Sequence, residues 1–312
     1  MAIDNKDVLK FGSLELLANQ VVEGFITGMH KSPFHGFSVE FAEHRLYNAG
    51  ESTKNIDWKL YAKSDKLFVK KYEEETNLRC QIVIDTSKSM LYPKNSEGYN
   101  KIQFSALAAA SLILMLKKQR DSVGLSLFND YIYEHTENKS SNIHHKYLFD
   151  ILSTLFDQEY HSNIEKTDVV SALHEIAEKI HKRSLVIIFT DLLDGDESQG
   201  EWILKNEELI SAMQHLKHNK HEVILFHVND KKNELFFDFD NRPYKFVDLE
   251  SGEEIKLKTN EIKEDYVRKM KEFYQEIQVR CGQLNIQLVK ADINKGLEHV
   301  LLSFLLKRSK LY

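Results

Sequence analysis

A chain of 312 residues, 42% hydrophobic and 29% charged, with only 3 Pro and 12 Gly, has material for one large domain or two ordinary ones and excludes long disorder or a linker-rich array. Its net charge of -6 and the lack of any Lys/Arg block clear of neighbouring acids exclude an electrostatic footprint for nucleic acid. Met1 to Asp7 shows no basic region leading into an apolar core, and the longest apolar run, Ala106 to Leu116, is about half of the ~20 residues that a membrane span needs, so a cytoplasmic protein without direct membrane insertion is expected.

From Asp7 to Ile26 apolar residues recur at helical intervals, with Gly12 as a possible break. Gly28 to Glu51 has no single period and suggests short strands and ordered loops. Leu67 to Tyr72 alternates as a strand does, and Glu73 to Glu75 reads as a solvated turn. The run Ile82, Val83, Ile84 then stops at Asp85, the pattern of a strand buried on both faces that leaves a parallel sheet at a polar end. Lys101 to Gln119 is a helix of good formers with cations at its C-terminal end. Val123 to Phe128 and Tyr131 to His135 form a hairpin, and helices follow near Lys146 to Phe156 and Asp168 to His181. Ser184 to Asp191 repeats the first plan, an apolar run ending in an acid. A helix at Glu207 to His218 and a strand at Glu222 to Val228 continue the alternation. Leu235 to Lys258 reads as a small β insertion. A long helix at Glu261 to Gly282, a strand at Ile286 to Lys290 and a helix at Leu297 to Lys307 complete the chain.

The expected fold is α/β: an open, mostly parallel Rossmann-like sheet flanked by helices over residues 79–312, with an N-terminal α+β extension over residues 1–78. Cys80 and Cys281 give no disulfide framework and read as buried thiols. His144, His145, His215, His218 and His221 lack an accompanying acid or Cys in a zinc signature and read as surface helix positions.

Three segments discharge at one sheet edge: the loop Asp85-Thr-Ser87-Lys-Ser89, the loop through Thr167, and the strand end Thr190-Asp191. They bring two carboxylates, Asp85 and Asp191, and three hydroxyls, Ser87, Ser89 and Thr167. An all-oxygen set suits Mg²⁺, with Mn²⁺ or Ca²⁺ as alternatives. Two acids match a divalent charge, and an open position would take a carboxylate from another protein. Ser87-x-Ser89 also reads as a helix cap, and both readings stand at this point.

This constellation resembles the metal-ion-dependent adhesion site of von Willebrand factor type A domains. His30-Lys-Ser32, Gly36, Phe37 to Phe41, Arg45-Leu-Tyr47, Gly50-Glu51 and Ile56-Asp57-Trp58 further resemble the bacterial domain-of-unknown-function family 58, which carries such a domain. Glu51 stands where that family usually has Asp, and Leu192 where type A domains usually have Gly. The resemblance implies a non-catalytic, metal-dependent protein-binding module. Members are commonly encoded beside MoxR-type AAA+ ATPases and, in Bacteroides relatives, in aerotolerance operons. The implied partners are therefore such an ATPase and a client offering an acidic side chain. Trp58, Tyr47 and Phe41 are expected to anchor the N-terminal platform, with Arg45 and Asp57 as an ion pair. Two alternatives remain: a metal-independent scaffold, and a Mg²⁺-dependent phosphohydrolase with Asp85 as nucleophile. The second would need an acid where Ser87 stands.

Overall fold

The structure, a computed structural model, describes residues 14–29, 44–47, 58–64, 66–70, 78–93, 98–129, 131–155, 169–192, 202–249 and 252–308. Helix α1 (Leu14–Met29) buries Leu14, Leu17, Ala18, Val22 and Phe25, the stripe its periodicity predicts. The chain divides into two compact units, residues 27–77 and residues 1–26 with 78–312.

In the smaller unit, β1 (His44–Leu46) pairs antiparallel with β2 (Phe68–Lys70), and Tyr47 N donates to the Leu67 carbonyl at 2.8 Å. Between them α2 (Trp58–Ser64) is a helix that the sequence reading missed. Its first residue corrects a second expectation. Trp58 is 60% exposed and meets Tyr61 edge to face, so it is not a buried anchor. Phe41 and Asp57, and with them the expected Arg45–Asp57 pair, lie outside the described residues.

The larger unit is built on β3 (Arg79–Asp85), β4 (Ser122–Phe128), β5 (Ile132–His135), β6 (Leu185–Thr190), β7 (Glu222–Asn229) and β10 (Gln287–Asp292). The hairpin β8 (Pro243–Val247) and β9 (Glu254–Lys258) is inserted before β10. Sheet order is β10-β7-β6-β3-β4-β5, parallel throughout except for the antiparallel pair β4–β5. This is the open, mostly parallel sheet that the sequence predicts. Runs such as Ile82–Ile84 and Val186–Phe189 are apolar at every position because helices cover both faces. Alternate strand residues Val83, Val186, Ile188, Val223 and Leu225 join a core with α5 (Val169–Lys179), α6 (Trp202–His218) and α7 (Thr259–Gln283), through Leu173, Ile176, Met213, Leu216 and Ile277. The other face receives α3 (Lys101–Lys118), which α4 (Asn142–Thr154) and α8 (Glu298–Arg308) cover in turn.

Helix α3 is apolar almost all round because it is enclosed on nearly every side. Its start is fixed by a capping box: the Asn100 side chain accepts from Gln103 N, and the Gln103 side chain accepts from Asn100 N. That cap places Lys101 at the first helical position, beside the carboxyl ends of the strands. The chain leaves β3 towards β4 and later returns to β6 on the other flank, so the crevice at the end of β3 is the switch point of the sheet.

His145 and His221 are buried, at 1% and 0% exposure, and are not surface positions; His144 donates through Nε2 to the Val123 carbonyl oxygen at 2.9 Å. Cys80 and Cys281 are free and buried as expected, and burial pushes the Cys281 thiol up to about 11. Among the described residues no helix is long and apolar enough to cross a membrane.

Candidate metal centre

Asp85 is the last residue of β3 and is 1% exposed. Its Oδ1 accepts from Ser87 N at 2.9 Å, and its Oδ2 accepts from Thr190 Oγ1 at 2.7 Å. The first contact folds the loop back on the strand end. The second ties β3 to β6, whose register sets Ile84 beside Phe189. A 3-10 turn, Lys88–Leu91, follows at once, and the hydroxyl of Ser87, just ahead of it, lies 3.0 Å from that of Ser89. Thr86 turns the other way, its Oγ1 donating to the Phe128 carbonyl at 2.7 Å. Ser87 precedes the 3-10 turn but makes no side-chain cap bond, so its hydroxyl is not spent as a helix cap.

Asp191 emerges one residue beyond β6 at the same edge, also 1% exposed. There it meets a residue that the sequence reading did not select. Lys101 Nζ, fully buried, donates to Asp191 Oδ2 at 2.7 Å and to Glu234 Oε1 at 2.6 Å. Glu234 belongs to the π-helical turn Lys231–Leu235, which opens the β insertion, and its Oε2 accepts from Asp230 N at 2.7 Å. His227, on β7, donates through Nε2 to the Asp191 carbonyl oxygen at 2.8 Å, and its Nδ1 accepts from the Tyr274 hydroxyl. The slot lined by Asp191, His227, Asn229, Glu234 and Met270 has room for about one water molecule and is too small to be a substrate chamber.

The electrostatics follow from burial. Desolvation first, and repulsion by Asp191 second, push the Asp85 carboxyl from 3.8 up to about 7, against the pull of its bonds from Ser87 and Thr190. Burial also opposes the charge on Lys101, but the attraction of Asp191 and Glu234 outweighs it and holds the ammonium above its usual range. A lysine so held is a fixed cation and not a nucleophile. Burial raises Glu234 although Lys101 pulls the other way, and burial takes His227 from 6.5 down to about 4.

The structure therefore brings Asp85, Ser87, Ser89 and Asp191 to one edge, while Thr167 lies outside the described residues. Asp85, Ser87 and Ser89 fit a hard divalent ion: all are oxygen donors, and the carboxylate resists ionising in the absence of a cation. Among the described residues no group of three or more His, Cys, Asp or Glu is placed to hold a metal. Asp191 shares the edge but has one oxygen on Lys101. The missed residue did leave a signal. A lysine at the first position of a helix opposes the helix dipole, and a buried one must be answered by acids.

A family model described as "Protein of unknown function DUF58" matches residues 43–276. Uncharacterised proteins of Mycobacterium tuberculosis and Mycobacterium bovis are 20% identical over 190 residues, covering 61% of this chain and 58% of theirs, so the chain spans little more than half the length of these relatives. Among solved structures, the conserved hypothetical protein BatB from Bacteroides thetaiotaomicron is 16% identical, with 75% of this chain and 98% of that one covered and a TM-score of 0.42. An aerotolerance-related membrane protein from Bacteroides fragilis is 15% identical, with 72% and 97% covered and a TM-score of 0.39. The SpRpn10 VWA domain is 14% identical, with 72% and 93% covered and a TM-score of 0.32.

Proposed function

The chain belongs to the DUF58 family, a family of unknown function, and from that premise we propose that it is a non-catalytic protein-binding module whose strand-end loop takes Mg²⁺, with Mn²⁺ or Ca²⁺ as alternatives. The observation that carries this reading is the buried Asp85 carboxylate, fixed by Ser87 N and Thr190 Oγ1, beside a Ser87–Ser89 hydroxyl pair 3.0 Å apart. When bound, the ion supplies a positive centre that a partner's carboxylate can complete. The chain supplies the rest. Asp85 balances charge, Ser87 and Ser89 give hydroxyl oxygens, and the bond from Thr190 holds the carboxylate in place at the sheet edge. Thr167 is assigned to the same shell on the strength of the sequence resemblance.

Catalysis finds less support in these residues. A phosphohydrolase built on Asp85 would need a proton donor two positions on, and Ser87 there has no base of its own. The proposed partners are a MoxR-type AAA+ ATPase and a client protein offering an acidic side chain, in complex assembly or stress tolerance. A binding assay tests this directly. Immobilised protein should retain a MoxR-type ATPase of its own organism, or a client delivered with it, in Mg²⁺ and release it in EDTA. The variant Ser87→Ala/Ser89→Ala should lose at least about tenfold in affinity, since it removes two of the hard-oxygen donors. Retention that is equal in Mg²⁺ and EDTA, and unaltered in the variant, would leave a metal-independent scaffold as the function.

A further inference from the structure

We infer that Lys101 is a tethered counter-cation of the strand-end acids, a positioning residue that competes with a divalent ion for Asp191 and so confines the ion to the Asp85, Ser87 and Ser89 side. This rests on the strand-end loop being a divalent-ion site, and adds to it the residue that sets its ligand set and strength. The geometry is specific. The ammonium is wholly enclosed, its two short contacts go to acids on different elements, and its place is fixed by the α3 capping box, not by a flexible surface stem. Asp191 Oδ2 is committed to that contact at 2.7 Å.

The contacts divide the acids. Lys101 holds Asp191 and Glu234, whereas Asp85 is held by Ser87 N and Thr190 Oγ1. Glu234 has a distinct part. It holds the ammonium from the side of the insertion turn, with its other oxygen fixed by Asp230 N, and so keeps Lys101 from being drawn wholly onto Asp191.

Two variants separate withholding of Asp191 from plain charge. Lys101→Met removes the ammonium at similar volume and frees Asp191 Oδ2 from it; Mg²⁺ and Mn²⁺ measured by calorimetry on chelator-treated protein should bind at least about tenfold tighter, because a like charge has left a low-dielectric site. Lys101→Met/Glu234→Gln restores the formal charge of the wild type and spares the fold an unanswered glutamate. It too should bind tighter than wild type, because Asp191 Oδ2 is released from the ammonium although the net charge is unchanged. Affinity equal to or weaker than wild type in the folded double variant overturns the inference. If wild type takes up no ion but the double variant does, the inference stands and the metal-dependent function of the natural chain falls. If neither binds, both fall.

Discussion

At the scale of single residues, the charge on Asp85 is the quantity that a cation would answer, and it has a signature without one. In the metal-free protein its carboxyl is raised from 3.8 to about 7, so the folded state keeps a proton that the unfolded chain releases. That contribution to stability is complete below the unfolded value and is lost as pH rises through about 7. His227 acts with the opposite sign. Lowered from 6.5 to about 4, it favours the fold above 6.5, and that contribution is lost as pH falls through about 4. The two slopes oppose each other across the shared window. Melting temperature against pH for chelator-treated protein should therefore change when Asp85→Asn is introduced: the decline attributed to Asp85 disappears, and a profile rising with pH towards 6.5 is left. A variant profile parallel to the wild type's would mean that Asp85 ionises in the fold as it does in water. Leu192 shows a different compromise. It keeps the left-handed backbone, φ 57°, that a glycine would adopt freely, a strain of roughly 1 kcal/mol. Its side chain is buried in the core with Leu173 and Ile188, a compensation that glycine could not give.

At the scale of elements, the sequence discloses the sheet because each central strand is buried on both faces and must be apolar throughout, as Ile82–Ile84 and Leu185–Phe189 are. The short α2 was not legible: seven residues beginning at an exposed tryptophan bury too little to imprint a period. Nor was the π-helical turn Lys231–Leu235, which holds Glu234 in place through the backbone of Asp230. Of the site, Asp85, Ser87, Ser89 and Asp191 could be selected because they follow apolar runs that stop abruptly. Lys101 could not be paired with Glu234 across 133 positions by any local pattern. The approach of β3 and β4 at Gln81 and Gly124, four residues before the strand end, offers a test of how tightly the two strands are packed. A Cβ on Gly124 would lie 2.4 Å from Gln81 Oε1 and 2.7 Å from the Thr136 carbonyl oxygen. Gln81 is itself engaged with Ser126 Oγ at 2.9 Å and cannot withdraw freely. Gly124→Ala should therefore destabilise the protein by roughly 1–3 kcal/mol in urea unfolding. A change within about 0.5 kcal/mol, as at an unconstrained surface site, would show that the strands can part there at little cost.

At the scale of the molecule, one arrangement follows from the topology: a parallel sheet turns all its carboxyl ends to one edge, and in this chain Asp85, Asp191, Asp230 and Asp292 sit at or just beyond four of those ends. Acids gathered at one edge need cations, and Lys101 meets part of that need from within. The rest is what the proposed function assigns to a divalent ion and, through it, to a partner's carboxylate. Because Asp85 is partly protonated near neutrality in the metal-free state, uptake of the ion should release a proton and weaken as pH falls below about 7. The most direct measurement is calorimetric titration of Mg²⁺ and Mn²⁺ into chelator-treated protein at pH 8 and pH 6, with Asp85→Ala alongside. Saturable binding that is tighter at pH 8, accompanied by proton release and absent from the variant, is the result predicted. No uptake by folded wild type at either pH, or equal uptake by the variant, would contradict the account.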